Sequence, residues 1–96
     1  MKLRLRPEAM GDIRAAMAWY EEREAGLAAA FLEQIDMLFE RIAEHPARFP
    51  TVYKEFRRAF LRRFPYAVYF LVEGEAIIVF AILHQRRDRA LLGERG

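Results

Sequence analysis

Hydrophobic residues change their spacing along the chain, and the first pattern is that of a strand. Near the N-terminus Leu3 and Leu5 alternate with three basic residues, Lys2, Arg4 and Arg6. Alternation of this kind is typical of a half-buried β-strand, since successive side chains of a strand point to opposite faces. The pattern therefore predicts a first strand from Lys2 to Arg6.

Two helices are predicted next. Pro7 suits the first turn of a helix, and apolar residues then recur at helical spacing, which predicts a helix over about residues 7–23. Gly26 breaks this pattern, and a second helix runs from Leu27 to the His45-Pro46 pair. Because the connection is short, we expect the helices to form an antiparallel hairpin. The apolar stripe of the second helix consists of Leu27, Phe31, Ile35, Leu38, Phe39 and Ile42.

Strand patterns return in the second half, after a loop over residues 46–53. Pro65 and a turn at Gly74 separate three predicted strands, and the chain from Gln85 on is predicted to be a tail. The order β-α-α-β-β-β predicts a single α+β domain over residues 1–96, with a helix hairpin packed on a mostly antiparallel four-stranded sheet. The three strands are expected at residues 56–64, 66–72 and 76–83.

The last two predicted strands are apolar on both faces, whereas a single helix hairpin covers one face only. Composition agrees: 54% of the 96 residues are apolar, and when Gly is counted in place of Tyr the share is about 55%, against about 45–50% in an average domain. Strand twist and the tail could cover the surplus, or a partner chain could do so. Because composition and strand pattern show the surplus independently, we favour a partner.

Charge is divided unevenly along the chain. The formal net charge of +2 combines 7 basic and 9 acidic residues in positions 1–48 with 9 basic and 5 acidic residues in positions 49–96. Nearly all of the cations are arginines, whose planar guanidinium suits phosphate and carboxylate groups. The basic strands therefore form either a solvated face or a surface for nucleic acid or an acidic partner. With no cysteine, signal peptide or membrane span in the sequence, we expect a soluble cytoplasmic protein.

Few residues could carry catalysis. The chain has neither Cys nor Ser, which excludes a Ser or Cys triad. His45 and His84 are 39 positions apart, and there is no glycine-rich phosphate loop, so we expect no metal and no cofactor. Trp19 is expected to pack in the core or between helices. One catalytic alternative remains, in which His84 acts as acid or base and arginines stabilise a phosphate in RNA cleavage; otherwise His84 is a structural residue at a strand end. The arginines of that alternative are Arg58, Arg62 and Arg63.

Several motifs, in order, resemble the RelE/ParE toxin superfamily of type II toxin–antitoxin systems. The resemblance extends from about residue 4 to residue 88, and its most specific parts are Arg62-Arg63-Phe64-Pro65-Tyr66 and His84-Gln85-Arg86-Arg87-Asp88. The remaining parts are Asp12-Ile13, Trp19-Tyr20-Glu21, Gly26-Leu27, Phe31-Leu32, Ile42 with Pro46, Arg57-Arg58-Ala59, Val68-Tyr69 and Ala81-Ile82-Leu83.

The resemblance implies a β-α-α-β-β-β fold and a cognate antitoxin whose C-terminal segment wraps the toxin. ParE-like members inhibit DNA gyrase, whereas RelE-like members cut mRNA on the ribosome with basic residues and a late Tyr or His. This chain has no tyrosine after Tyr69, and its ending is more similar to the ParE branch, so a ParE-like gyrase inhibitor is favoured over a ribonuclease or an inactive homologue. The residues expected to bind partners are Arg57, Arg58, Arg62, Arg63, Tyr66, Tyr69, His84, Arg86 and Arg87.

Overall fold

A helix hairpin packs against one face of a five-stranded sheet in the computed structural model, which describes residues 1–86 and 95. The sheet order is β1-β5-β4-β3-β2, with β1 parallel to β5 and the other neighbours antiparallel. The α+β class and the element order predicted from the sequence are confirmed. In chain order the elements are β1 (Lys2–Leu5), α1 (Pro7–Arg23), α2 (Leu27–Glu44), a 3₁₀ turn (Pro46–Arg48), β2 (Thr51–Tyr53), β3 (Phe56–Phe60), β4 (Tyr66–Glu73) and β5 (Ala76–His84).

The strand count differs from the prediction by one, because the predicted loop over residues 46–53 contains β2. This strand has three residues, and its register against β3 shifts between Thr51 and Tyr53. A segment so short and irregular shows no alternation of apolar and polar residues from which a strand could be predicted. It is a strand only because β3 lies beside it, as the hydrogen bond from the Arg58 N–H to the Pro50 carbonyl shows (3.0 Å).

The turn between the helices is held by a side chain of α1. Gly26 has a φ of +95°, a left-handed conformation that glycine adopts without steric cost. The Glu21 carboxylate accepts hydrogen bonds from the backbone N–H groups of Gly26 (3.1 Å) and Ala28 (3.0 Å). These N–H groups lie at the start of α2, where the helix itself offers them no acceptor. Glu21 of α1 therefore caps the N-terminus of α2. The same bonds lower the pKa of Glu21.

The main core lies between the helices and the sheet. Its largest fully buried side chains come from α2, β4 and β5, so the apolar stripe of α2 faces the strands as its spacing predicts. Neither helix of the described chain has the length and hydropathy needed to cross a membrane. The fully buried side chains are Phe31, Ile35, Ile42, Val68, Phe70, Ile77, Val79 and Ile82.

The far face, meaning the sheet surface opposite the helices, is not left uncovered as the strand pattern suggested. Six apolar side chains of this face are at most 8% exposed within the single chain, whereas Phe60, paired with Ala67 of the same face, is 48% exposed at the end of β3. Large aromatic rings close it: Phe56 packs edge-on against Phe80 at 5.0 Å, Tyr53 stacks on Phe56, and the Arg6 guanidinium lies over Phe80 at 4.8 Å. The far face is therefore a second, smaller core, formed by Phe56, Ala67, Tyr69, Phe80, Ala81 and Leu83.

The exposed apolar residues of the described chain lie instead on the helices and at the sheet rim. Trp19, expected in the core or between helices, is 49% exposed on α1, and Phe60 at the end of β3 is 48% exposed. The structure therefore has several separate exposed apolar residues in place of the one uncovered sheet face that was expected. The others are Met1, Met10, Leu32, Met37 and Val72.

Candidate functional site

The residues expected to bind partners lie on both sides of the sheet. Arg58 is paired in register with Tyr69, which belongs to the far-face core. Tyr66 is paired with His84, and Tyr66 packs against the core beneath the helices. Because side chains alternate between faces along a strand, Arg58 and Tyr69 share one surface, and Tyr66 and His84 share the other.

Arg58 is the most unusual polar side chain of the described chain. Its guanidinium carbon lies 4.6 Å from the centre of the Phe60 ring, and its Nε is buried without a hydrogen-bond partner among the described residues. Buried donors are nearly always paired in folded proteins, so an unpaired one calls for a reason. The Arg58 side chain as a whole is partly exposed beside the Phe60 ring, so its guanidinium, rather than the buried Nε, is suited to receive a carboxylate or phosphate oxygen from another molecule.

Arg57 is held within the protein instead. It is paired in register with Phe70 on the helix side of the sheet, and its Nη1 donates a hydrogen bond of 2.6 Å to the Phe49 carbonyl. This contact ties β3 to the segment that follows the 3₁₀ turn. Arg57 and Arg58 therefore have different surroundings, because successive side chains of a strand point to opposite faces of the sheet.

Arg62 and Arg63 are exposed in the connection between β3 and β4, where the sequence predicted continuing strand. Leu61 and Phe64 on either side are each 7% exposed, and these two buried anchors leave the arginines directed outward. Arg63 has a φ of +70°, a strained conformation for a residue with a Cβ. The connection thus presents two cations at one end of the sheet.

Tyr66 and His84 line a cavity of about 520 Å³ between α1 and the ends of β4 and β5. Tyr20 is also part of its wall, where it meets Tyr66 edge-on at 6.1 Å and stacks on the buried Phe31 at 5.6 Å. Burial, with a smaller contribution from Tyr66, raises the pKa of Tyr20, so this phenol stays protonated at neutral pH. Other lining residues include Asp12, Ala16, Trp19 and Ile82.

The α1 side of this cavity was missed from the sequence. Asp12, Ala15, Ala16 and Trp19 follow the i, i+3, i+4, i+7 spacing of one helix face, and this spacing was the available signal. Two of these four residues, Ala15 and Ala16, are alanines. In the structure their small side chains are part of the cavity wall.

His84 is fixed at the end of β5. Its Nδ1 accepts a hydrogen bond from the backbone N–H of Arg86 at 3.2 Å, and its ring packs edge-on against Tyr66 at 5.3 Å. The sheet separates this imidazole from Arg58. Arg86 is exposed, and Arg87 lies outside the described residues. Within residues 1–86 and 95, no group of three or more His, Asp or Glu side chains is arranged to hold a metal ion.

Comparisons with known proteins agree with this architecture. A family model described as ParE toxin of type II toxin-antitoxin system, parDE, matches residues 3–89. A solved structure described as the chromosomal ParDE TA system from P. aeruginosa matches with a TM-score of 0.68 at 20% identity, over 88% of this chain and 95% of that chain. No curated protein sequence matches. The structural likeness establishes a shared fold, and the family match runs from β1 past the end of β5.

Proposed function

Because the chain belongs to the ParE toxin family of type II toxin–antitoxin systems, we propose that it inhibits DNA gyrase and that a cognate antitoxin neutralises it. The resemblance seen in the sequence is confirmed at the level of family and branch. A toxin of this class has an antitoxin as partner. Gyrase as target, and the cytoplasm as the place of action, are the further steps of this proposal.

One geometric observation supports binding over catalysis. The RNA-cleaving alternative places Arg58, Arg62 or Arg63 on the same phosphate as His84, and of these Arg58 projects from the sheet face opposite to His84. General acid–base catalysis requires the reacting proton to be within hydrogen-bond reach of the acid or base. Arg58 and His84 therefore cannot share one reacting phosphate, which supports a role for Arg58 in binding a target.

We place the contact with gyrase at the end of β3 and the connection after it. Arg58 offers a partly exposed guanidinium, Phe60 an exposed ring, and Arg62 and Arg63 two outward cations. Aromatic residues and arginines are the types that carry most of the binding energy in protein interfaces. This group of four residues is called the β3-end patch.

The target is tested with purified toxin in two assays run side by side. We expect the toxin to alter gyrase supercoiling or DNA cleavage, and the antitoxin to reverse the effect. The proposal fails if gyrase activity is unchanged while the toxin cuts mRNA on ribosomes. Expression that leaves growth unaffected would instead indicate an inactive homologue.

The β3-end patch is tested with Arg58→Met, which keeps the aliphatic stem and removes the charge. A hydrogen bond to a charged group contributes about 1.5–3 kcal/mol, so we expect at least a roughly tenfold loss of potency against gyrase. His84→Ala should retain inhibition, because His84 lies on the other face. Arg14→Gln, an exposed change on α1, is the matched control. Full potency of Arg58→Met would remove Arg58 from the contact.

A further inference from the structure

The excess positive charge of the chain lies in one segment, residues 41–63, which runs from the last turn of α2 to the connection after β3. This segment has 7 basic and 2 acidic residues, whereas the whole chain has 16 and 14. The formal net charge is therefore +5 in the segment and −3 in the rest of the protein. A charge distribution of this kind attracts polyanions to the basic region.

Aromatic rings, rather than carboxylates, hold several cations of this segment. The Arg41 guanidinium carbon lies 5.6 Å from the centre of the Phe49 ring, and the Lys54 ammonium lies 5.3 Å from that of Tyr53. Arg58 has a contact of the same kind. Both ion pairs of the described residues join side chains outside this segment. A ring positions a cation without neutralising it, so these charges remain available to an anion.

Phe49 is a fixed support for Arg41. Its carbonyl accepts the Arg57 hydrogen bond at 2.6 Å, and its ring packs edge-on against the buried Phe70 at 6.0 Å. Arg41 therefore rests on a side chain that the main core holds in place. Because its guanidinium is positioned beforehand, an anion that binds it meets a smaller cost of ordering the side chain.

Two neighbouring surface depressions share Arg41. The first has a volume of about 160 Å³ at the end of α2, and Arg48, His45 and the carboxylate of Glu44 also line it. The second lies between α2 and the end of β3, where Arg62 joins Arg41 and the other lining residues are neutral. Because Arg41 belongs to both, three arginines follow one another along the surface. We call Arg41, Arg48 and Arg62 the basic rim.

We infer that the basic rim binds the phosphate backbone of duplex DNA, beside the surface that contacts gyrase. Guanidinium groups match phosphate oxygens in shape and charge, and a row of them suits a chain of regularly spaced anions. The inference rests on the proposed inhibition of gyrase, an enzyme that holds DNA while it acts, and adds DNA as a second partner. Arg62 belongs to both the basic rim and the β3-end patch, so a toxin bound at this end contacts the enzyme and its substrate together.

The aromatic residues of the segment favour a duplex over a single strand. Proteins that bind single strands stack successive bases on exposed rings. In residues 41–63 only Phe60 presents an exposed ring, whereas Phe49, Tyr53 and Phe56 are buried or half-buried. One exposed ring is no platform for successive bases. Contacts with phosphates carry no sequence information, so we expect binding to any DNA sequence.

The test measures binding of the purified full-length toxin to a short fluorescent DNA duplex, by anisotropy over a range of salt concentrations. The rim variant, Arg41→Gln with Arg48→Gln, is compared with wild type and with Arg4→Gln/Arg14→Gln, a control of equal net charge in which both changed arginines are exposed. We expect the rim variant to bind about 30- to 100-fold more weakly near ~0.1 M salt, with a log–log salt slope shallower by about two. The control should keep the wild-type slope.

A second variant separates charge from structure. Arg41→Lys with Arg48→Lys should keep the wild-type slope, because lysine also binds phosphate as a point charge. Thermal unfolding verifies that every variant is folded. The inference is overturned if wild-type toxin does not bind the duplex at low salt, or if the rim variant and the control lose equal affinity. It is also overturned if single-stranded RNA of the same length binds more tightly, or if the rim variant loses affinity for the antitoxin and not for DNA.

This assay contains no gyrase, so its outcome is separate from that of the proposed function. Gyrase inhibition by a toxin that does not bind DNA would leave the target in place and remove the basic rim as a DNA site. DNA binding by a toxin that leaves gyrase unaffected would do the reverse.

Discussion

Arg57 and Arg58 are adjacent on β3, and the structure predicts that the same substitution has opposite effects on them. Arg58→Met removes a buried Nε–H that has no partner among the described residues. Arg57→Met removes a donor that holds the Phe49 carbonyl at 2.6 Å. Since methionine keeps much of the stem and adapts to irregular space, packing changes little in either variant.

The magnitudes follow from these contacts. A buried donor without a partner costs about 1–3 kcal/mol, and the contact of Arg58 with the half-exposed Phe60 ring offsets about 0.5–1 kcal/mol of that. We therefore expect Arg58→Met to raise the free energy of unfolding by about 1 kcal/mol, or the Tm by about 4–8 °C. Arg57→Met loses a charged hydrogen bond and should lower the unfolding free energy by about 1.5–3 kcal/mol.

The assay is urea unfolding of both variants and wild type, followed by circular dichroism, with m-values compared to verify that surface exposure on unfolding is unchanged. The reasoning is refuted if Arg58→Met is destabilised by 1 kcal/mol or more, or if the two variants have the same stability. Combined with the gyrase assay, the expected result is a toxin that is more stable and less active. Such a separation would mark Arg58 as a residue kept for binding at a cost in stability.

Three further outcomes are expected. Phe31→Ala empties the centre of the aromatic cluster and should lower the free energy of unfolding by about 3–5 kcal/mol, which is a large part of the about 5–15 kcal/mol of a typical domain. Phe60→Ala at the exposed end of β3 should lower it by less than about 1 kcal/mol. Similar losses for the two variants in urea unfolding would contradict this. Glu21→Ala should lower the Tm at neutral pH. Because the folded pKa of Glu21 is depressed, its contribution is present above the unfolded pKa and disappears as pH falls through the folded value, so the two Tm curves should converge in acid; a constant gap would exclude the cap. Arg63→Gly should stabilise the fold by about 1 kcal/mol by relieving the left-handed backbone, and an unchanged or lower Tm would speak against strain there.

Long periodic segments were the part of the fold that sequence could predict. α2 begins at Leu27 and ends before His45 as expected, because its stripe and its proline are local signals. β3 was predicted to residue 64 but ends at Phe60, since the connection that follows is anchored by Leu61 and Phe64 and turns away from the sheet. Chemistry-bearing residues in that stretch therefore lie in a loop.

The site was harder to predict than the fold, for a physical reason. Arg57 and Arg58 were both expected to bind partners, and no local pattern says which one meets the helix layer and which has a buried Nε without a partner among the described residues. Asp12 and Arg95 are separated by 83 positions and meet only because β1 stops short of the end of β5. Contacts of that kind form only once the sheet has assembled, so the pattern of neighbouring residues in the sequence does not predict them.

The pairing of β1 with β5 also determines when the sheet can be completed during synthesis of the protein. Lys2 is made 74 positions before its partner Ala76. Until β5 has been made, β1 has no edge to join and the helix hairpin has no sheet to cover. At a translation rate of about 5–20 residues per second this delay lasts several seconds. A truncated product that lacks β5 would lack both cores, because β5 contributes buried side chains to each of them.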